Sequence, residues 1–265
     1  MKFLLVEQLS EIKRKLAEDG VVVIPGFFKP ELIEKIHQQA KAIFQIQFDK
    51  HNIKGDYLSQ MVELFENHLD TFINCGKLIQ TGLIELYQLA VNPSLIQLTK
   101  DLGLEFPNMC TRPMLFFNHP KLAKQEHFYK TPIHQDWVSM LASDDSIVVW
   151  LPIIDLTLEH GPVIFYPGSH KLGPLTGQIE NGFAEVDFDR NAWPKLQVPV
   201  NQGDIVVFST LLVHESGQIT NNQIRWSCHF RYTNMKDPSF IDNGFPHPYI
   251  HKPSQEIIDK YLKKS

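Results

Sequence analysis

The chain reads as an α+β protein, mainly β with N-terminal helices, on three observations. Its first hundred or so residues carry apolar side chains at helical spacing. From Pro107 onward, short β-branched and aromatic runs alternate with Gly, Pro, Asn and Asp clusters. Neither an internal repeat nor a Pro/Gly/Ser-rich linker separates the halves, so helices packed on a sheet fit better than two domains. A chain of 265 residues can bury one large core without disulfide staples.

Leu5, Leu9, Ile12 and Leu16 mark an amphipathic first helix that stops at Gly20. Val21 to Ile24 is a strand closed by Pro25 and Gly26. Pro30 opens a second helix, with Leu32, Ile36, Ala40 and Ile43 expected on its buried face. Helical spacing resumes from Asp70 to Gly103, where Asn92 and Pro93 form an N-cap and first-turn pair. Five strands follow: Met114 to Phe117, Ile147 to Leu151, Val163 to Tyr166, Ile205 to Phe208 and Trp226 to Tyr232, the pattern of a sandwich or barrel. Ser254 to Lys264 is expected to be a short helix. One domain over 1–265 is therefore expected, with 1–106 as helical support, 107–241 as β core and 242–265 as a tail.

Thirty acidic against 25 basic side chains leave a formal charge of −5. Such a surface offers no long-range attraction to phosphate backbones or anionic lipid, so nucleic-acid and membrane partners are not expected. Cys75, Cys110 and Cys228 form no CxxC and read as reduced thiols. The apolar run in MKFLLVEQ is too short for a secretory signal, and the Tyr-Leu-Lys-Lys-Ser end is no peroxisomal address. A cytoplasmic location is the expectation.

The chemistry concentrates in Ile133-His134-Gln135-Asp136-Trp137 and in Val213-His214-Glu215-Ser216-Gly217. On an extended segment His134 and Asp136 share one side and can grip one ion, while Gln135 alternates away and is expected to serve the sheet. A third ligand must come from elsewhere. Two imidazoles and one carboxylate on one face of an iron(II) form the arrangement of non-haem iron oxygenases. Arg225, in the last strand, is an always-charged side chain that needs an anionic partner if buried, and Ser216 can add a hydroxyl to the same anion.

Three further stretches join these. They are Leu16-Ala-Glu-Asp-Gly-Val-Val-Val-Ile-Pro-Gly-Phe-Phe28, Trp150-Leu-Pro-Ile-Ile-Asp155 and Gly161-Pro-Val-Ile-Phe-Tyr-Pro-Gly-Ser-His-Lys171, with Gly203-Asp204 before His214. In this order they resemble the phytanoyl-CoA dioxygenase-like iron(II)- and 2-oxoglutarate-dependent oxygenases over most of the chain. The resemblance implies a double-stranded β-helix, a jelly-roll or cupin-like core with the metal between its sheets. It implies His134, Asp136 and His214 as iron ligands, and Arg225 as partner of the distal 2-oxoglutarate carboxylate. Ser216 and Trp150 become lesser cosubstrate contacts. The implied reaction uses O2 and 2-oxoglutarate to hydroxylate an unactivated carbon, with succinate and CO2 released. Asp136 disfavours halogenation, since halogenating relatives carry a small residue there.

His127, His160, His170 and His229 are expected to serve structure rather than metal. Two long connections, 118–130 and 172–199, are candidate substrate loops. The lysines of the first, Lys124 and Lys130 among them, suggest an anionic small-molecule substrate, and Phe188 and Trp193 of the second are expected to cap the cavity. Two other readings stay open at this point: a metal-dependent cupin isomerase or hydrolase, and a non-catalytic metabolite-binding jelly roll.

Overall fold

A computed structural model describes residues 6–180 and 183–246. The expected helix from Ser254 to Lys264 lies outside them. The chain begins with α1 (Val6–Asp19), β1 (Val21–Ile24), α2 (Pro30–His51), α3 (Tyr57–Asn67), α4 (Leu69–Gly82), α5 (Ile84–Ala90) and α6 (Pro93–Asp101). It continues through β2 (Pro107–Met109), β3 (Met114–Asn118), α7 (Asp136–Met140), β4 (Ile147–Pro152) and β5 (Ile164–Phe165). The remainder is β6 (Gly177–Glu180), β7 (Phe183–Val186), β8 (Ile205–Ser209), β9 (His214–Glu215), β10 (Arg225–Asn234) and α8 (Pro238–Asp242).

The major sheet is antiparallel in the order β1-β8-β4-β10-β2, and β3 also pairs with β10. β10 is the longest strand and contacts three others: Cys228 lies opposite Leu151 of β4 and Leu115 of β3, and Tyr232 opposite Met109 of β2. Facing this sheet is a small second layer, in which β5 pairs with β9 and bridges join His134 to His214 and Phe165 to Leu196. Two facing antiparallel layers with helices outside the larger one match the expected jelly-roll core.

Strand alternation sorts the residues between two environments. Val22 and Ile24, Ile147, Val149 and Leu151, Ile205 and Val207, and Trp226, Cys228, Phe230 and Tyr232 join the helices in one large apolar core. The intervening Val21, Val148, Trp150, Val206 and Phe208 point inward to a second cluster with Phe165 and Leu212. On α2 the buried stripe is Ile33, Ile36, Ala40, Phe44 and Phe48, while Leu32 is exposed. The sequence offers two overlapping stripes there, and the one carrying Phe44 and Phe48 buries more area. Phe44 meets the rings of Phe48, Phe72 and Phe117 at centroid distances of 5.3 to 6.3 Å, which joins α2, α4 and β3.

Two substitutions test this packing. Phe44→Ala is expected to cost roughly 3–5 kcal/mol in urea unfolding, because a fully buried aromatic leaves a cavity. Tyr232→Phe removes the hydroxyl that donates to Ala90 O at 2.5 Å and is expected to cost about 1–2 kcal/mol.

Candidate metal centre

Backbone pairing builds the centre. His134 N donates to His214 O at 2.9 Å, and His214 N donates to His134 O at 3.0 Å. Opposed residues of an antiparallel bridge send their side chains to the same side, and the two rings stand 4.1 Å apart between centroids. The Nδ1 of each ring lies on a local carbonyl, Pro132 O at 2.8 Å for His134 and Leu212 O at 2.9 Å for His214. An Nδ1–H bond of this kind fixes the tautomer and leaves the Nε2 lone pair for a metal.

Gln135 is extended, so Asp136 falls on the same side as His134, and the chain then turns at once into α7. The Nε2 atoms of His134 and His214 lie 3.9 and 3.8 Å from the Asp136 carboxylate. Ligand atoms of the three residues all lie within 4.8 Å of one another. Asp136 Oδ1 accepts from Arg231 Nη2 at 3.0 Å, while its buried Oδ2 has no partner among the described residues. Burial by itself would raise the Asp136 pKa, but Arg231, His214 and His134 together outweigh it and hold the carboxyl well below its usual range. Burial and the neighbouring His134 push His214 down to about 3, so the imidazole is neutral, the form that ligates. An orphaned carboxylate oxygen beside two imidazole lone pairs suits a divalent cation.

Arg225 is 4% exposed and pairs with no carboxylate among the described residues. Its Nη1 donates to Gly161 O, and its Nη2 to Tyr129 O at 3.2 Å and to Ser216 Oγ at 3.3 Å. Burial lowers its pKa to about 10, the mark of a cation that lacks an anion. Gly161 sits at φ 62°, and a Cβ there would come within 2.5 Å of Gly217 O, so only glycine lets this turn present its carbonyl to the guanidinium. Ser216 and Trp150, both buried, line the same cavity of about 220 Å³ as Arg225 and the three ligand candidates.

Gln135 is fully buried and faces away from the ligands, as alternation implies, but it serves the loops rather than the sheet. Its Nε2 donates to Leu211 O at 2.6 Å and to Gly173 O at 3.0 Å, and its Oε1 accepts from Leu175 N at 2.9 Å. The PGSH turn braces the next ligand, since Ser169 Oγ accepts from Val213 N at 3.0 Å and His170 reaches Ala17 O at 3.2 Å. His160 closes a capping box with Thr157.

Three expectations need correction. His127 and Tyr129 line the cavity, but Lys124 and Lys130 do not: Lys124 is exposed and Lys130 pairs with Glu126 at 2.9 Å. Phe188 packs on Tyr166 and Trp193 on Phe188, at 5.0 and 5.6 Å, so neither forms the cavity wall. His229, expected to be a packed structural imidazole, is indeed neutral through burial, yet it also lines the cavity. Sequence reading did not find Ser227 and Arg231, although both fall in phase with Arg225 along β10.

A jelly roll that brings two histidines and one carboxylate within 4.8 Å of one another defines the class, a jelly-roll protein with a candidate metal centre. The phytanoyl-CoA dioxygenase (PhyH) family model matches residues 16–227, and the chain belongs to that family. Peroxisomal phytanoyl-CoA dioxygenase of Bos taurus is 27% identical over 172 residues, covering 60% of this chain and 48% of its own length. The human enzyme is also 27% identical, covering 58% and 46%. The chain thus spans about half the length of these curated relatives. Among solved structures, the epimerase SnoN in complex with Fe3+, alpha ketoglutarate and nogalamycin RO superposes at TM-score 0.62 with 18% identity, covering 92% of each chain. The carbocyclase SnoK gives 0.58 with 17% identity, covering 92% of this chain and 93% of its own. At these identities the superpositions establish the fold. Among the described residues no helix is long and apolar enough to cross a membrane.

Removing a ligand and removing its support should read differently. His214→Ala is expected to weaken divalent-metal binding by roughly two orders of magnitude in a competitive chelator titration, with the fold retained by circular dichroism. Gln135→Leu strands three backbone groups and is expected to cost about 2–4 kcal/mol in urea unfolding.

Proposed function

We propose that this protein is an iron(II)- and 2-oxoglutarate-dependent dioxygenase that hydroxylates an unactivated C–H bond of a small, anionic molecule. The observation that carries the reading is Arg225, a buried cation with no protein carboxylate among the described residues, in the same cavity as the His134, Asp136 and His214 triad. A metal cupin without a cosubstrate has no use for that guanidinium, and a non-catalytic jelly roll has no use for the triad. Family membership and the SnoN complex with iron and alpha ketoglutarate support the same assignment.

In this reading His134, Asp136 and His214 hold iron(II). Arg225 and the Ser216 hydroxyl hold the distal carboxylate of 2-oxoglutarate by charge-assisted bonds. When bound, the iron supplies the redox chemistry, by which O2 and 2-oxoglutarate yield succinate and CO2 while one C–H of the substrate becomes C–OH. The chain itself positions and excludes. Trp150 and Phe116 wall the cavity, His229 contributes a neutral ring, and the Pro132 and Leu212 carbonyls keep the ligating imidazoles in one tautomer. The anionic character is proposed because the cavity carries two arginines, Arg225 and Arg231.

Anaerobic titration of the metal-free protein with iron(II) and 2-oxoglutarate is expected to produce the visible absorption band of the chelate. Arg225→Ala should keep iron binding while weakening 2-oxoglutarate by about 30-fold or more, as expected when one side of a buried charge pair is removed. Metal binding without any band in the wild type would exclude the cosubstrate and favour the metal cupin.

A further inference from the structure

β10 sends four side chains to the cavity from alternate positions, in the order Arg225, Ser227, His229 and Arg231. Arg225 marks one end, where the distal carboxylate is proposed. Arg231 marks the other, where its Nη2 donates to Asp136 Oδ1 at 3.0 Å. A molecule that joins Arg225 to the metal centre therefore passes over Ser227 and His229. His229 lies opposite Trp150 in the sheet, with ring centroids 6.5 Å apart, and stands edge-on to Phe116 at 4.8 Å. Its Nε2 is 3.3 Å from Ser227 Oγ, so the imidazole leans toward the Arg225 end of the strand.

The second nitrogen of that ring is unused. Nδ1 has no hydrogen-bond partner among the described residues. The unpartnered nitrogens of Arg231 are sealed away from any ligand, whereas His229 is only half-buried and lines the cavity, so its Nδ1 opens into it. Burial and the neighbouring Arg231 hold the imidazole well below the usual histidine range, and a neutral ring carries its proton on one nitrogen only. Ser227 Oγ has no other partner among the described residues, and by donating to Nε2 it leaves that proton on Nδ1. Resting on the dioxygenase reading, we infer that His229 is a cosubstrate-binding residue whose Nδ1–H donates to an oxygen at the oxo-acid end of 2-oxoglutarate, with Ser227 as the positioning residue that sets its tautomer. A neutral donor suits this place, because a lysine or arginine would add a third cation beside a divalent metal. Arg225 and His229 then divide the ligand between them: one recognises the distal carboxylate, the other the end that meets the metal.

Anaerobic titration of the iron(II)-loaded protein tests this with 2-oxoglutarate and with 2-oxovalerate, which has the oxo acid but no distal carboxylate. Affinity and the visible band are the two readouts. His229→Phe should weaken both ligands by about tenfold or more and displace the band, with iron(II) affinity within about threefold of wild type. His229→Asn, whose amide N–H can reach the position of Nδ1, should recover most of that loss. Arg225→Ala should weaken 2-oxoglutarate alone. Unchanged affinity and an unmoved band in His229→Phe overturn the inference. So does a loss confined to 2-oxoglutarate, which would run through Arg225, or a loss that His229→Asn shares in full. Failure of both His229 variants to bind iron(II) also overturns it, since the ring would then serve only the fold of the centre. Each of these outcomes leaves the dioxygenase reading intact. A wild type that binds iron(II) but gives no band with 2-oxoglutarate removes that reading, and this inference with it.

Discussion

Ten residues of one strand have to satisfy two environments at once. In β10 the side chains of Trp226, Cys228, Phe230 and Tyr232 belong to the apolar core shared with the helices, and those of Arg225, Ser227, His229 and Arg231 belong to the cavity. A slip of one residue would exchange the two sets, placing two guanidiniums in hydrocarbon. Register is therefore fixed by a large energy difference, and it is fixed against three partner strands simultaneously. The helical layer matters to the site for this reason: burying one face of β10 is what aims the other.

The second layer is thin, and hydrogen bonds do there what burial does in the first. β9 has only two residues, yet His214 is held by the backbone bridge to His134, by its own Nδ1 contact to Leu212 O and, one residue earlier, by Ser169 under Val213. Gln135 ties the metal motif to the chain segments at Gly173, Leu175 and Leu211. Each of these bonds is worth only about 1 kcal/mol net, but together they fix the ring orientations on which ligation depends. The PGSH turn is thus a brace for the metal site, reached from the N-terminal side through Gly168 N to Asp19 O at 2.8 Å.

Much of this was legible because it rests on local chemistry. Period-two spacing put His134 and Asp136 on one side, the family resemblance joined His214, Arg225 and Ser216 to them, and alternation alone predicted that Gln135 would face away. What escaped depended on geometry that spacing does not carry. Arg231 is in phase with Arg225, but phase does not reveal that Asp136 stands opposite it, since that contact crosses from α7 to the far end of β10. Lys124 and Lys130 looked like a basic wall because charge was counted along the chain, whereas the residues this loop gives to the cavity are Asn118, His127, Phe128 and Tyr129. Phe188 and Trp193 were read as a cap because large aromatics are rarely left in water; they avoid it instead against Tyr166, outside the cavity. On α2 the choice between Leu32 and Ile33 as the first buried residue was one of total area down the stripe, decided more than two turns later at Phe44 and Phe48.

Asp136 joins the two layers electrostatically. One of its oxygens is committed to Arg231 on the major sheet, and the other is held free beside imidazoles that backbone carbonyls have already set in the ligating tautomer. Metal binding therefore requires neither a broken ion pair nor a rotated ring, and the carboxylate is already ionised because Arg231, His214 and His134 together outweigh the cost of its burial. The dependence runs both ways. A small uncharged residue at this position would remove a candidate ligand and also leave Arg231 as a buried cation with no protein partner, and breaking one side of a buried pair costs several kcal/mol. With Arg231 in place, the carboxylate at position 136 is required by the fold of the cavity itself.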